Sequence, residues 1–384
     1  MMDPLSRRRL LGTGTGLALT GWLAGGGSAL GASTPPKPLP TRMLGRPGKA
    51  LVIGHRGCSA LRPEHTLASY AKAIADGADY VEPDLVATKD GVLIARHENN
   101  IAETSNVADH PEFAARKATK LIDGEKVTGW FTEDFTLDEI KTLRAKERLG
   151  KLRPEGQSYD GQFQIVTLAE IADFVAAEAA ARGRLIGLIP EIKHSTYFAS
   201  IGLPLEERFI AALKASHYLS HAPLIVQSFE VANLKRLRRD LAGYGNIQLM
   251  QLVGAPKDQP ADFVAAGDPR RWADLLTPAG LAEVAAHADW LAPATRMIIP
   301  VDAQNRLMAP TGIVEAGHKA GLLVGTWTFR PENHFIAADF AQGAPDGARN
   351  PEASVAEIRR YLATGLDGFF TDDPALGRRA VEGI

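Results

Sequence analysis

From residue 50 onward, short runs of aliphatic and β-branched residues alternate with longer runs that carry alanine and leucine at helical spacing. The β-rich runs are Leu51–His55, Tyr80–Leu85, Leu185–Glu191, Leu224–Ser228, Ile247–Leu252, Asp289–Ala292, Leu322–Thr328 and Gly368–Thr371, eight in all. Segments such as Leu168–Ala181 and Val231–Leu241 read as the helices between them. Several strands are preceded by a similar triplet: Gly77-Ala78-Asp79, His287-Ala288-Asp289 and Gly365-Leu366-Asp367. Each reads as a helix stop and a short turn. Strand–helix alternation predicts an α/β fold with a parallel sheet, and eight strands favour closure into a (β/α)8 TIM barrel.

Two segments break the alternation. Lys89-Asp90-Gly91 lies between Leu85-Val86-Ala87-Thr88 and Val92-Leu93-Ile94-Ala95-Arg96, which predicts a β-hairpin extension after strand 2 in place of a helix. Residues 98–165 are polar and charged, with Trp130, Phe131 and Phe135 and few regular runs. An insertion of that length carries function or its own structure, and it reads as a cap over the C-terminal end of the barrel. Within it Leu137–Leu149 predicts a helix, opened by Thr136 with Glu139 three residues on.

The N-terminus is of another kind. Ser6-Arg7-Arg8-Arg9-Leu10-Leu11 precedes an uncharged Gly/Thr/Leu/Ala run that ends in small residues near Ala32. That order describes an export signal over residues 1–31. The arginines and the glycine-diluted apolar stretch point to the twin-arginine route, hence to a periplasmic or secreted protein. A retained membrane anchor is the alternative, weakened by the glycines and threonines, so no stable membrane insertion is expected after signal removal. Residues 32–48, Pro-rich and basic, read as a linker, and 49–384 as a single domain.

Composition narrows the chemistry. The 384 residues are 45% apolar with a formal net charge of −2, enough for a large core and without the basic surface that a nucleic-acid partner requires. The one cysteine, Cys58, excludes an internal disulfide framework and a thiolate metal cluster. Any metal must then be held by oxygen or imidazole.

The candidate residues fall at strand ends. Val52-Ile53-Gly54-His55-Arg56-Gly57 leads from the first strand into a tight turn, followed by Arg62-Pro63-Glu64-His65-Thr66, where Thr66 caps a helix. That puts His55 and Arg56 at the edge where barrel chemistry sits. The second strand ends Val81-Glu82-Pro83-Asp84, so Glu82 and Asp84 share a face. A two-residue turn at Lys89-Asp90 sets His97 opposite Glu82, and a shift by one sets it opposite Asp84. Ile189-Pro190-Glu191-Ile192-Lys193 adds Glu191 and Lys193 on one face of the next strand. Carboxylates converging from adjacent strands describe a hard-cation site for Ca²⁺ or Mg²⁺, the alternative being salt bridges with Arg56 and Lys193. Trp327 either walls a substrate pocket or closes the barrel, and Asp372-Asp373 reads as a turn cap. His110, His194, His217, His221, His287, His318 and His334 read as surface or packing residues.

Taken together, His55-Arg56-Gly57, Pro63-Glu64-His65-Thr66, Gly77 to Asp84, Thr88-Lys89-Asp90-Gly91, Arg96-His97-Glu98, Glu191-Ile192-Lys193 and Thr326-Trp327-Thr328 resemble the glycerophosphodiester phosphodiesterase family, its periplasmic branch in particular. The resemblance implies a (β/α)8 barrel with an insertion after the hairpin histidine. It implies Glu82, Asp84 and Glu191 as ligands of a divalent cation and His55 and His97 as an acid/base pair. Arg56 and Lys193 would contact phosphate, with Glu64 orienting His55 or Arg56. The implied substrate is a small glycerophosphodiester, cleaved to sn-glycerol 3-phosphate and an alcohol by water or by the substrate's own hydroxyl. Glu98 departs from the aspartate that many members carry after the histidine. A phospholipase-like enzyme of the same fold and a non-catalytic phosphometabolite-binding protein are the rival readings.

Overall fold

The computed structural model describes residues 46–383, Gln342 and Ala344 apart, so the expected signal and most of the expected linker lie outside the described residues. The strands in chain order are β1 (Leu51–Gly54), β2 (Tyr80–Val81), β3 (Asp84–Ala87), β4 (Leu93–Ala95), β5 (Ala118–Ile122), β6 (Glu125–Gly129), β7 (Gly187–Leu188), β8 (Glu191–Ile192), β9 (Leu224–Ser228), β10 (Ile247–Val253), β11 (Trp290–Pro293), β12 (Leu323–Val324) and β13 (Gly368–Thr371). Their main order is β12-β11-β10-β9-β7-β2-β1-β13, every neighbouring pair parallel. The two ends of this run meet. Asp367 N–H donates to Val324 O, Phe370 N–H to Thr326 O and Phe329 N–H to Phe370 O, each at 2.9 Å. The sheet therefore closes as the expected TIM barrel, with helices such as Leu168–Arg182 and Val231–Asp240 outside it. Ile53, Ile189, Ile225, Met250, Leu252, Trp290, Leu323 and Phe370 form the apolar cluster of the barrel strands.

Two expected strands are each split by proline, which has no N–H for the ladder. Glu82-Pro83 separates β2 from β3, and Ile189-Pro190 separates β7 from β8. Pairing resumes past each proline with Asp84 beside Glu191 and Glu191 beside Gln227, which sets three polar residues in one row.

The hairpin after the second stave is present, but its register is neither of those expected. Leu85 pairs with Ala95 and Ala87 with Leu93, closed by a three-residue loop in which Gly91 takes φ +79°. Arg96 N–H donates to Asp84 O, so Arg96 stands opposite Asp84 and His97 lies beyond the last ladder pair. The helix expected over Leu137–Leu149 stops at Thr142, although the Thr136–Glu139 capping box is there. Arg144 and Ala145 are drawn into bridges with Gln164 and Ser105, which require extended backbone.

Residues 98–165 also hold a hairpin that composition did not reveal, β5–β6, turning on Asp123-Gly124. Their apolar side chains share the main core. Trp130, Phe135, Ile140 and Leu143 belong to one buried cluster with Tyr70, Ile171 and Val175 of the outer helices. Phe135→Ala should therefore cost about 3–5 kcal/mol of global stability, the usual loss for a buried phenylalanine. Urea denaturation measures it, and a loss below about 1 kcal/mol would show the insertion to be an independent flap.

Candidate active site

The turn after β1 is over-determined. Gly57 N–H donates to Gly54 O at 3.0 Å, and Gly57 sits at φ +93°. A Cβ there would lie 2.7 Å from Ser69 Cβ, so only glycine fits. Arg56 and His65 both take left-handed backbone, at φ +57° and +56°. Such strain in non-glycine residues persists where surrounding bonds enforce it, typically at functional sites. Here Arg56 O accepts from His65 N–H and from Ser69 Oγ.

Next to this turn lie three buried acids, Glu82, Asp84 and Glu191, with two buried cations, Arg56 and Lys193. Glu82 Oε2 accepts from the Arg56 backbone N–H at 2.7 Å, and Oε1 from Gln227 at 3.2 Å. Lys193 Nζ is 2.9 Å from Glu191 Oε1 and 3.5 Å from Asp84 Oδ1. Arg56 Nε stands 3.5 Å from Asp84 Oδ2. Asp84 Oδ1 makes no hydrogen bond among the described residues. Burial and the Asp84 carboxylate push Glu82 well above the usual carboxylate range and Glu191 up to about 8. Asp84 is instead held well below that range: burial opposes its charge, but Lys193, His97 and His65 outweigh it.

The acids fit a divalent cation: oxygen donors only, mutually repelling, one of them with a buried unbonded oxygen. A ring nitrogen of His65 also comes within 4.8 Å of carboxylate oxygens of Glu82 and Asp84. Both its ring nitrogens are already engaged, Nε2 with Asp84 Oδ2 at 2.8 Å and Nδ1 with Tyr70 Oη at 2.9 Å. It holds the carboxylate in place, and Glu191 completes the acid set.

His55 is braced from behind. Its Nδ1 is 2.5 Å from Asp372 Oδ1, which fixes Nδ1–H and leaves Nε2 as acceptor. Asp372 is in turn held by Arg153, which also bonds Glu332 at 2.7 Å and Ser59 O at 2.8 Å. Burial, with Arg56 beside it, lowers the His55 pKa to about 4. His97 is lowered to about 3 by burial and by Arg56 and Lys193. It stands 2.6 Å from Glu98 through Nδ1.

A family model described as the glycerophosphoryl diester phosphodiesterase family matches residues 55–376. The chain belongs to that family. The glycerophosphodiester phosphodiesterase GDPD6 of Arabidopsis thaliana is 34% identical over 337 residues, 83% of this chain and 82% of its own length. A glycerophosphodiester phosphodiesterase of Treponema pallidum is 28% identical over 87% of this chain and 92% of its own. In fold, the chain is similar to an Oleispira antarctica phosphodiesterase solved with the product sn-glycerol-3-phosphate, with TM-score 0.55, 21% identity and coverage of 87% and 97%. The enzyme type is accordingly glycerophosphodiester phosphodiesterase.

For a phosphodiesterase of this family, the structure gathers His55, Arg56, Glu64, Glu82, Asp84, His97, Glu191 and Lys193 into one interacting set. Glu64 is fully committed to arginines, Arg56 at 2.9 Å and Arg148 at 2.6 Å, so it orients Arg56. Trp327 donates Nε1 to Ala292 O at 2.9 Å and stands edge-on to Phe229, which Lys193 faces. A surface cavity of about 570 Å³ between Lys120, Tyr197 and Ile201 is lined by none of these residues.

Two expectations are corrected. Asp372 does not cap the turn: Asp373 caps the helix Pro374–Glu382, and Asp372 points to His55. His194 is no plain surface residue; its Nδ1 is 2.5 Å from Asp123 and its Nε2 3.4 Å from Glu98. Burial opposes its charge, but these two acids push its pKa from 6.5 up to about 10. Since the folded pKa exceeds the unfolded one, the protonated ring stabilises the fold fully below about pH 6.5 and loses that effect as pH rises toward 10. His194→Asn, which keeps the left-handed backbone, should thus lose stability near pH 6 and converge on the parent by pH 10. Thermal unfolding across that range measures it, and a pH-independent difference would contradict the charged ring.

Proposed function

We propose that the chain hydrolyses small glycerophosphodiesters to sn-glycerol 3-phosphate and an alcohol, using His55 and His97 as the proton-transfer pair. The observation that carries this reading is the buried row of Glu82, Asp84 and Glu191 with Arg56 and Lys193 at its edge and His55 fixed by Asp372. Glu82, Asp84 and Glu191 would hold Ca²⁺ or Mg²⁺, which when bound polarises a phosphoryl oxygen as a Lewis acid. Arg56 and Lys193 neutralise charge that develops on the non-bridging oxygens. His55 Nε2 takes a proton from the attacking oxygen as the new P–O bond forms, and Asp372 stabilises the resulting imidazolium; water as nucleophile gives sn-glycerol 3-phosphate directly, whereas the glycerol hydroxyl gives a cyclic phosphate that water then opens. Protonated on both ring nitrogens, a state that Glu98 and the anionic substrate favour, His97 gives its Nε2 proton to the leaving alkoxide as the old P–O bond breaks. Glu64 holds Arg56, and Trp327 with Phe229, which Lys193 faces, walls the substrate pocket.

Turnover of glycerophosphocholine with and without divalent cation tests this reading. Chelation should abolish activity, and Ca²⁺ or Mg²⁺ should restore it. Full turnover after exhaustive chelation removes the metal assignment. His55→Ala and His97→Ala should each lower kcat by roughly two orders of magnitude or more with folding intact. Near-normal rates in both variants would leave the proton-transfer pair without support.

Residues 1–31 are proposed to export the enzyme through the twin-arginine route, which suits a protein that folds and loads a metal before crossing. Replacing Arg7, Arg8 and Arg9 by lysine keeps the charge and should block export. Unchanged export in a fractionation assay would assign the general secretory route.

A further inference from the structure

His97 lies past the last pair of the β3–β4 ladder, so the sheet does not fix its ring. Its Nδ1 has no aligned hydrogen bond among the described residues and stands 2.6 Å from Glu98 Oε1. Glu98 is adjacent in sequence and must be held back against the ring by something else. The group facing its other oxygen is His194, whose Nε2 is 3.4 Å from Glu98 Oε2, an ion pair without an aligned hydrogen bond among the described residues. His194 follows β8 at φ +48°, and its other nitrogen meets Asp123 Oδ2 at 2.5 Å. Asp123 sits at the tip of the β5–β6 hairpin, where Asp123 (φ +48°) and Gly124 (φ +89°) form the two-residue turn between Ile122 and Glu125. Two non-glycine residues in left-handed backbone thus meet in a single ion pair. That pair ties the insertion to the end of a barrel strand.

We propose that Asp123, His194 and Glu98 are positioning residues for His97: the tip of the cap hairpin fixes His194, His194 fixes Glu98, and Glu98 selects the ring orientation with Nδ1–H turned away from the phosphate. A carboxylate at one ring nitrogen sets which nitrogen is free for proton transfer, as outer partners do for metal-bound histidines. His97 Nε2 is then the atom that serves the leaving oxygen. The inference rests on the reading of His97 as a proton-transfer group.

The test compares the full-length, cation-loaded enzyme with Asp123→Asn, His194→Asn, the double variant and His97→Ala, using glycerophosphocholine. Asparagine keeps left-handed backbone at both positions, so the turn survives the loss of charge. The expected result is a fall in kcat of about tenfold in each single variant, with KM within about twofold and unchanged inhibition by inorganic phosphate. The double variant should be no slower than the slower single one, since both break one chain. Leu121→Ala, an exposed neighbour on the same hairpin, should match the parent. An inactive His97→Ala beside normal kcat in Asp123→Asn and His194→Asn overturns the positioning role alone. Additive losses in kcat that raise KM in step assign the chain a structural lock instead, and also overturn it. A fully active His97→Ala overturns the reading of His97 on which the inference stands.

Discussion

Three carboxylates side by side in a protein interior are the constraint around which the rest of this molecule is arranged. Glu82, Asp84 and Glu191 are each at most 5% exposed, and the strand pairing that places Asp84 beside Glu191 leaves no room to separate them. Burying unpaired ions costs several kcal/mol each, so the cluster persists only because cations are brought to it. Arg56 and Lys193 bring two positive charges to three acids. The shortfall appears as Glu82 and Glu191 resisting ionisation while Asp84 keeps its charge. A divalent cation would remove that shortfall, and on the proposed reading a phosphodiester arriving beside it would meet two cations already fixed in place.

Holding those cations and His55 requires further charges, and the insertion supplies several of them. Arg56 is kept in its strained turn by Glu64, and Glu64 is shared with Arg148. Arg153 binds Asp372, which orients His55, and Glu332, which lies beyond β12. The cap therefore reaches the site at three points: Arg148 at Arg56, Arg153 at His55 and Asp123 at the loop carrying His194. The first two contacts act one residue behind a group proposed for phosphate or proton transfer, at Glu64 behind Arg56 and at Asp372 behind His55, and the third acts two behind His97, through Glu98.

What was legible in the sequence follows from how local the causes are. The staves were visible because each is an apolar run with its own turn signals, and the acids because residues two apart on a strand share a face. Pro83 and Pro190 marked the places where the ladder breaks, which is where the acids sit. The hairpin register was not legible, because the choice between a two- and three-residue loop rests on Gly91 adopting positive φ. The β5–β6 hairpin did have a signal, Asp123-Gly124 between alternating residues, masked by the charge around it. Asp372 was hidden by its neighbour: Asp373-Pro374 reads as a helix cap and is one, while the pairing of Asp372 with His55 spans 317 residues. Arg148 and Arg153 lie in a polar stretch where any arginine looks solvated, and only the closed barrel brings Glu64 and Asp372 to them.

The position of the insertion carries a consequence of its own. The chain leaves the barrel immediately after His97, at a point where a plain barrel would enter a helix. Once it has left, no ladder holds the histidine, and every constraint on that side chain must come from residues that return. The insertion returns through Asp123 at the hairpin tip and re-enters the barrel at the helix beginning with Leu168, while its apolar residues join the same core as the outer helices. A cap packed that firmly cannot swing as a lid without opening the core. On the proposed positioning chain, the orientation of His97 would then be set as the protein folds, before substrate binds.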